Sequence, residues 1–429
     1  MKIGIIGSGH VGLVTGACFA DLGNDVICMD HDKRKIRALL RGKVPFYEPG
    51  LTELILKNCA QKRLQFTTSI KEAVHFGTII FLCVGTPPRQ DGHADLSAIE
   101  NVTKAIAANL KDYRLIVEKS TVPVKTGKQL ASIIRQGLRG KVPFDVASNS
   151  EFLREGQAVQ DFFNPDRIVL GVNSKRAEQL LVELYQPFKA PIVLTDLESA
   201  ELIKHASNSF LAMKISFINL MSQICEKVGA DVTKVAEGVG ADRRIGKAFF
   251  NAGIGFGGSC FPKDLLAFTR IFEKLSLPSR FLEEISRINE VQKSNFVERV
   301  RTKLGKLKGK TIGALGLSFK PDTNDMRFAP SVDILNRLKA EGAKIKAYDP
   351  RAISEAKKVL KGIQFSKDAY EACRGVDAVL ILTEWREFRE LDLKRIKKLL
   401  KRPVVIDGRN IYDPEVMKKH GFHYYSVGR

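Results

Sequence analysis

The segment Lys2-Ile3-Gly4-Ile5-Ile6-Gly7-Ser8-Gly9-His10-Val11-Gly12 decides the fold. Residues 2–6 form an apolar run of the length of a buried parallel strand. Val11, Val14, Ala17, Cys18 and Leu22 then recur at helical spacing, and 25–30 is a second strand-like run closed by Asp30. Strand, GxGxxG, helix, strand and acid together make the dinucleotide-binding βαβ fingerprint. Gly7 and Gly9 permit the tight turn and let backbone approach a pyrophosphate, while Gly12 lets helix and sheet pack closely. The helix N-terminus supplies partial positive charge for the phosphates. Asp30 is placed to accept hydrogen bonds from a ribose diol and to repel a 2′-phosphate, which favours NAD over NADP. His31, Lys33, Arg34 and Lys35 follow it, and such a basic cluster can also hold a phosphate.

The alternation continues with strands at 78–84 and 114–118 around a helix from Ser97. Both strands end in polar, turn-forming runs, Gly85-Thr86-Pro87-Pro88 and Lys119-Ser120-Thr121-Val122-Pro123. Ligands of open parallel sheets bind beyond the strands' carboxyl ends, so Thr86 and Thr121 are candidate contacts. Capping the next element explains either threonine alone equally well. Residues 197–228 contain neither glycine nor proline and show helical spacing, so they read as one long helix stopped by Gly229. A helix of that length suits a spine or a dimer interface. Helical pattern resumes up to about Leu304, and strands at 310–317, 344–348, 378–382 and 403–407 then mark a second α/β alternation.

That second half has Ser318-Phe319-Lys320-Pro321-Asp322 where a third glycine would open a helix. It suits a phosphorylated ligand other than a second NAD. Lys320, Arg327 and Arg409 are its candidate anion contacts, with plain surface charge the competing reading. The expected fold class is α/β, with two Rossmann-like doubly wound domains joined by a long central helix. The expected divisions are an NAD-binding domain at 1–196, a central helical domain with the cysteine loop at 197–304, and a domain for the other phosphorylated ligand at 305–429.

Three places carry candidate chemistry. In Gly255-Phe256-Gly257-Gly258-Ser259-Cys260-Phe261-Pro262-Lys263-Asp264 a thiol precedes an expected helix start at Pro262. The helix dipole and Lys263 both favour its thiolate, although a lone cysteine is more often a buried structural residue. In 149–156, Glu151 and Glu155 share a face if the stretch is helical, which would raise one pKa for proton transfer; a solvated turn is the alternative. Lys204 and Asn208 lie one turn apart on the long helix. On so apolar a helix they are expected to face water.

Composition excludes several classes. The 429 residues, 44% hydrophobic and 27% charged, describe ordinary globular domains. No apolar run approaches the ~20 residues that cross a bilayer, and the start lacks a signal peptide's apolar core, so a cytoplasmic location without membrane insertion is expected. The seven cysteines are scattered without a CxxC pair, which gives no disulfide framework and no metal site. The net charge of +21 is spread through helices without any nucleic-acid-binding signature, so nucleic acid is not an expected partner.

As a set, GSGHVG (7–12), VGTPP (84–88), EKSTVP (118–123), EFLREG (151–156), ELIKHASNSFL (201–211), DRRIG (242–246), GFGGSCFPKD (255–264), SFKPDTNDMR (318–327) and DGRNIYD (407–413) resemble the UDP-glucose/GDP-mannose dehydrogenases. The resemblance runs in order over essentially the whole chain. It implies oxidation of a nucleotide sugar's primary alcohol to a carboxylate with two NAD⁺ and one water, here UDP-glucose to UDP-glucuronate. GDP-mannose or a UDP-N-acetylhexosamine is the alternative substrate.

Cys260 would capture the aldehyde as a thiohemiacetal that becomes a thioester. Lys204 and Asn208 would stabilise the oxyanion, Asp264 would act in acid/base steps with a water held by Thr121, and Glu151 is a candidate base for hydrolysis. For NAD the resemblance implies Val11, Asp30, Lys35, Thr86, Thr121, Glu155, Lys263 and Arg327. For the UDP-sugar it implies Glu151, Phe152, Leu153, Arg154 and Glu155, together with Lys204 and Asn208. Phe249, Phe250, Asn251, Ala252 and Gly253 follow, then Gly257, Lys320 and Arg409. Arg244 would reach the substrate of a neighbouring subunit, which implies a homodimer. Two positions depart from the family's usual pattern: Ser150 stands where a proline commonly precedes the first acid, and His10 occupies the phosphate loop.

A two-electron dehydrogenase of the 6-phosphogluconate or hydroxyacyl-CoA type shares the NAD fingerprint and central helix, but has no use for a cysteine nucleophile. A basic binding module with a vestigial NAD fold is the rival from outside enzymology.

Overall fold

A computed structural model describes residues 1–138 and 140–429. It divides into two compact units, one of Met1–Ser207 with Leu266–Leu275, the other of Asn208–Leu265 with Ser276–Arg429.

Among the described residues the first unit contains an eight-stranded sheet. Its strands are β1 (Lys2–Ile6), β2 (Asp25–Met29), β3 (Leu64–Thr67), β4 (Ile79–Leu82), β5 (Arg114–Glu118), β6 (Phe144–Ser148), β7 (Ile168–Val172) and β8 (Ile192–Thr195). Their order is β3-β2-β1-β4-β5-β6-β7-β8. All neighbours are parallel except β6 and β7. The strand order reverses between β1 and β4, the switch point where open α/β sheets bind ligands.

The central strands β1, β2 and β4 are largely apolar and buried because helices cover both faces. Ile3, Ile5, Val26, Cys28, Ile79 and Phe81 join one core. The residues alternating with them, Ile6, Ile27, Met29, Ile80 and Leu82, join the other.

The second unit repeats the plan with β9 (Thr311–Leu315), β10 (Lys344–Tyr348), β11 (Gln364–Phe365), β12 (Ala378–Ile381), β13 (Val404–Asp407) and β14 (His423–Ser426). Their order is β11-β10-β9-β12-β13-β14, all parallel. The helix Leu197–Val228 is a single element, as its lack of glycine and proline dictates. The helical pattern after the cysteine resolves into two helices, Phe261–Lys274 and Arg280–Leu304.

Gly12 shows how tightly the first βα turn is built. A Cβ there would lie 1.8 Å from the Gly7 carbonyl oxygen. Gly7, at φ +101°, would need a conformation that costs any residue with a side chain. Gly12→Ala should therefore cost about 1–3 kcal/mol through forced backbone shifts. Chemical denaturation read alongside NAD titration should show both stability and binding reduced; an unchanged NAD affinity would contradict this account of the turn.

Candidate active site

In the first unit the helix His10–Asp21 points its N-terminus out of the glycine turn. Beside it Asp30 accepts hydrogen bonds from Ser8 N (3.0 Å), Ser8 Oγ (3.1 Å), Asp32 N (3.0 Å) and Lys35 Nζ (2.6 Å). Burial alone would raise its pKa, but the Lys35 ammonium and the backbone N–H groups outweigh that and hold it below the ordinary carboxylate range. The basic neighbour that left NADP open in the sequence is thus Asp30's own counter-ion.

At the ends of β4 and β5, Thr86 Oγ1 donates to Thr121 O at 2.8 Å, so the two candidate threonines lie together. Lys119, beside them in sequence, is buried and donates to Asn149 Oδ1 at 2.9 Å; burial lowers its pKa to about 8.

The stretch 151–156 is not a helix. Glu151 folds back to accept from Leu153 N at 2.6 Å, and a side chain that captures a backbone N–H two residues on competes with helix formation. Glu151 and Glu155 therefore do not share a helical face. Arg154 pairs with Asp161 at 2.6 Å, and Phe152 lies under the Arg167 guanidinium at 3.9 Å from the ring centroid.

The structure also overturns the expectation that Lys204 and Asn208 face water. They are 3% and 7% exposed. Lys204 Nζ donates to Glu151 O at 2.5 Å and lies 3.2 Å from Glu151 Oε1.

In the second unit Cys260 is partly buried immediately before the helix Phe261–Lys274, and its carbonyl accepts from Asp264 N at 2.8 Å. Ser259 Oγ lies 3.8 Å from its sulfur. Asp264 is buried, accepts from Asn208 Nδ2 at 2.6 Å and pairs with Lys263 Nζ at 3.1 Å.

Buried amides position the glycine loop ahead of the cysteine. Asn219 Oδ1 accepts from Gly253 N, Asn289 Oδ1 accepts from Phe256 N, and Gln292 Nε2 donates to Gly253 O, each at 2.8 Å. Gly257 has room for no side chain, since a Cβ would stand 2.3 Å from Phe328 O. Arg409 reaches Gly255 O (3.3 Å), Phe319 O (3.1 Å) and Leu382 O (2.9 Å), and pairs with Glu384. It thereby joins the cysteine loop to the loop after β9. Lys320 lies over the Phe319 ring, Arg327 pairs with Asp325, and the exposed Arg244 pairs with Asp242. Phe249 sits at φ +64°, an uncommon conformation for a residue with a side chain.

Comparison with known proteins places this geometry. Residues 1–189, 198–291 and 313–414 match the NAD binding, central and UDP binding domains of the UDP-glucose/GDP-mannose dehydrogenase family. The chain belongs to that family. Over all of its length it is 50% identical to the UDP-glucose 6-dehydrogenase TuaD of Bacillus subtilis, covering 93% of that protein. It is 47% identical to the UDP-glucose 6-dehydrogenase of Rhizobium meliloti, with both chains covered in full. A UDP-glucose dehydrogenase structure from Pyrobaculum islandicum superposes with a TM-score of 0.93 at 38% identity, over 100% of this chain and 98% of that one.

The first unit thus carries the family's NAD-binding domain, and its residues fit the cofactor. A Cβ on Gly9 would meet nothing within 4 Å, which leaves the helix N-terminus open to a pyrophosphate. In the UDP-binding half the acid equivalent in position to Asp30 is Asp349, just past β10, and sequence reasoning missed it. It is 1% exposed and accepts from Leu317 N, Ser318 N, Ser318 Oγ and Trp385 Nε1 on one oxygen, and from Arg351 N and Ala352 N on the other. Its acceptor capacity is spent inside the protein. The signal was present in the sequence as an acid closing a strand that follows a glycine turn.

The Lys204–Glu151 contact predicts a double-mutant cycle. Lys204→Met leaves Glu151 buried without its cation and should cost about 3–5 kcal/mol in urea unfolding. Glu151→Gln in that background should recover part of the loss, and additive costs would contradict the pairing.

Proposed function

We propose that the protein oxidises UDP-glucose to UDP-glucuronate in two successive two-electron steps without releasing the aldehyde. The observation that carries the reading is Cys260 at the N-terminus of the helix Phe261–Lys274, with Asp264 one turn on and hydrogen-bonded to Asn208. The helix dipole favours a thiolate at that position. The names of the full-length relatives support UDP-glucose as the sugar nucleotide.

NAD, when bound, supplies the hydride acceptor for each oxidation; Val11, Asp30, Lys35, Thr86, Thr121, Glu155, Lys263 and Arg327 are the proposed contacts. Cys260 adds to the C6 aldehyde, and Asp264 with a water held by Thr121 moves the proton. Lys204 and Asn208 stabilise the oxygen on which charge develops. After the second hydride leaves, the thiohemiacetal is a thioester. Water breaks its C–S bond, regenerates the thiol and leaves the carboxylate, with Glu151 as the base. The UDP-sugar is held by 151–155, 249–253, Gly257, Lys320 and Arg409. Arg409 already binds three carbonyl groups around the cysteine loop, so it also shapes that loop.

A homodimer belongs to the same reading, with Arg244 serving the neighbouring copy's substrate. Leu202, Phe210, Phe217, Leu220, Ile224 and Val228 are exposed at helical spacing along one face of the helix Leu197–Val228. A continuous apolar stripe of that kind suits a second copy of the chain. Among the described residues no helix is long and apolar enough to cross a membrane, and the proposed location is the cytoplasm.

With UDP-glucose, GDP-mannose and UDP-N-acetylglucosamine offered side by side, UDP-glucose should win by at least about 100-fold in kcat/KM. Absent turnover of UDP-glucose would sink the substrate assignment. Cys260→Ser should lose at least about 10³-fold in overall turnover while NAD and UDP-glucose affinities stay within about threefold. Retained turnover in that variant would rule out the covalent route.

A further inference from the structure

The loop after β5 leads through Thr121 into the helix Thr126–Gly137, and it is fastened from the side by the long helix. Glu201, 1% exposed, accepts from Lys125 N at 2.5 Å and from Gly127 N at 2.6 Å, one on each carboxyl oxygen. Lys125 is held at φ +77°, a conformation unfavourable for a residue with a side chain, so its backbone needs an external hold. Glycine at 127 is what permits the approach, since a Cβ there would stand 3.3 Å from Glu201 Oε1. One turn along the same helix the His205 Nε2–H donates to Val122 O at 2.7 Å, while its ring stacks on Phe268. Thr121 lies between these fastenings and the Thr86 hydroxyl, which donates to Thr121 O.

Behind the loop is a carboxyl group that the proposed reaction does not use. Glu118, the last residue of β5, is 0% exposed, and neither of its oxygens has a hydrogen-bond partner among the described residues. Its neighbour in register on β6 is Ser148, whose hydroxyl also lacks one. Burial first, and the charge of Glu201 second, push Glu118 well above the usual carboxylate range. Burial likewise pushes Glu201 up to about 7, against the pull of the two backbone N–H groups. The other charges around Glu201 are Glu198, one turn earlier, and Lys128 on the helix Thr126–Gly137, and these two pair with each other. Lys204 turns its ammonium to Glu151 instead.

We propose that Glu201 and His205 are positioning residues that latch the 121–127 segment, and through it Thr121, in the arrangement the reaction requires. The importance of Thr121 to turnover rests on the function proposed above; the latch itself does not.

The test is hydrogen–deuterium exchange on the full-length protein with NAD, for wild type, Glu201→Gln and His205→Phe, each corrected for intrinsic exchange. An amide cannot accept from both N–H groups, and phenylalanine keeps the stacking on Phe268 while losing the bond to Val122. Protection of 121–127 should fall about tenfold in each variant. With UDP-glucose, kcat should fall about tenfold while the KM for UDP-glucose moves less than about twofold. Unchanged protection in both variants overturns the latch. Lost protection with unchanged kcat overturns the positioning role. If wild type turns over no nucleotide sugar, the functional reading fails on its own and the exchange data still decide the latch.

Discussion

A buried ammonium sets the terms for this molecule. Lys204 is 3% exposed in the third turn of a helix that is otherwise largely apolar, and a charge so placed survives only with partners of good geometry. It finds them in the carbonyl and carboxylate of Glu151. That contact fixes Glu151, whose carboxylate also captures Leu153 N and so keeps the 151–156 stretch out of helical conformation. The same helix repeats the device along its length. Glu201 and His205 hold the segment carrying Thr121, and Asn208 holds Asp264. Four polar side chains within eight residues, 201–208, thus fasten three separate pieces of chain that hold candidate site residues.

The two sheets show one scaffold used in two ways. Each has the strand order of a doubly wound nucleotide-binding fold, and each closes its second strand with an acid, Asp30 or Asp349. Asp30 takes its hydrogen bonds from Ser8, Asp32 and the partly exposed Lys35. Asp349 is closed in by five residues, one of them the indole of Trp385. An acid so fully engaged braces the first turn and has no lone pair to offer a ribose. The second half therefore keeps the architecture of a dinucleotide domain without its recognition chemistry, which agrees with its match to a UDP binding domain.

Much of this was legible in the residues themselves. Periodicity and the absence of glycine and proline give the helix Leu197–Val228 to the residue, and the apolar runs give β5 and β10 with their boundaries. The glycine turn and Asp30 mark the first βαβ unit of the NAD-binding domain. The antiparallel β7 was not legible, because an apolar run of five residues carries no mark of direction. Nor was the burial of Lys204 and Asn208. Their partners lie 53 and 56 residues away, and local pattern alone sends a lysine on an apolar helix to water. The amides Asn219, Asn289 and Gln292 escaped notice for the same reason: each looks like an ordinary helix-surface residue until the glycine loop packs against it.

The central claim is that one cysteine carries a primary alcohol through two oxidations at a single site. Its most direct test is the amount of NADH formed per UDP-glucose consumed under limiting substrate, measured by absorbance at completion. The account predicts two NADH per sugar with no free aldehyde accumulating. One NADH per sugar would contradict it and would leave an ordinary two-electron dehydrogenase on the same scaffold.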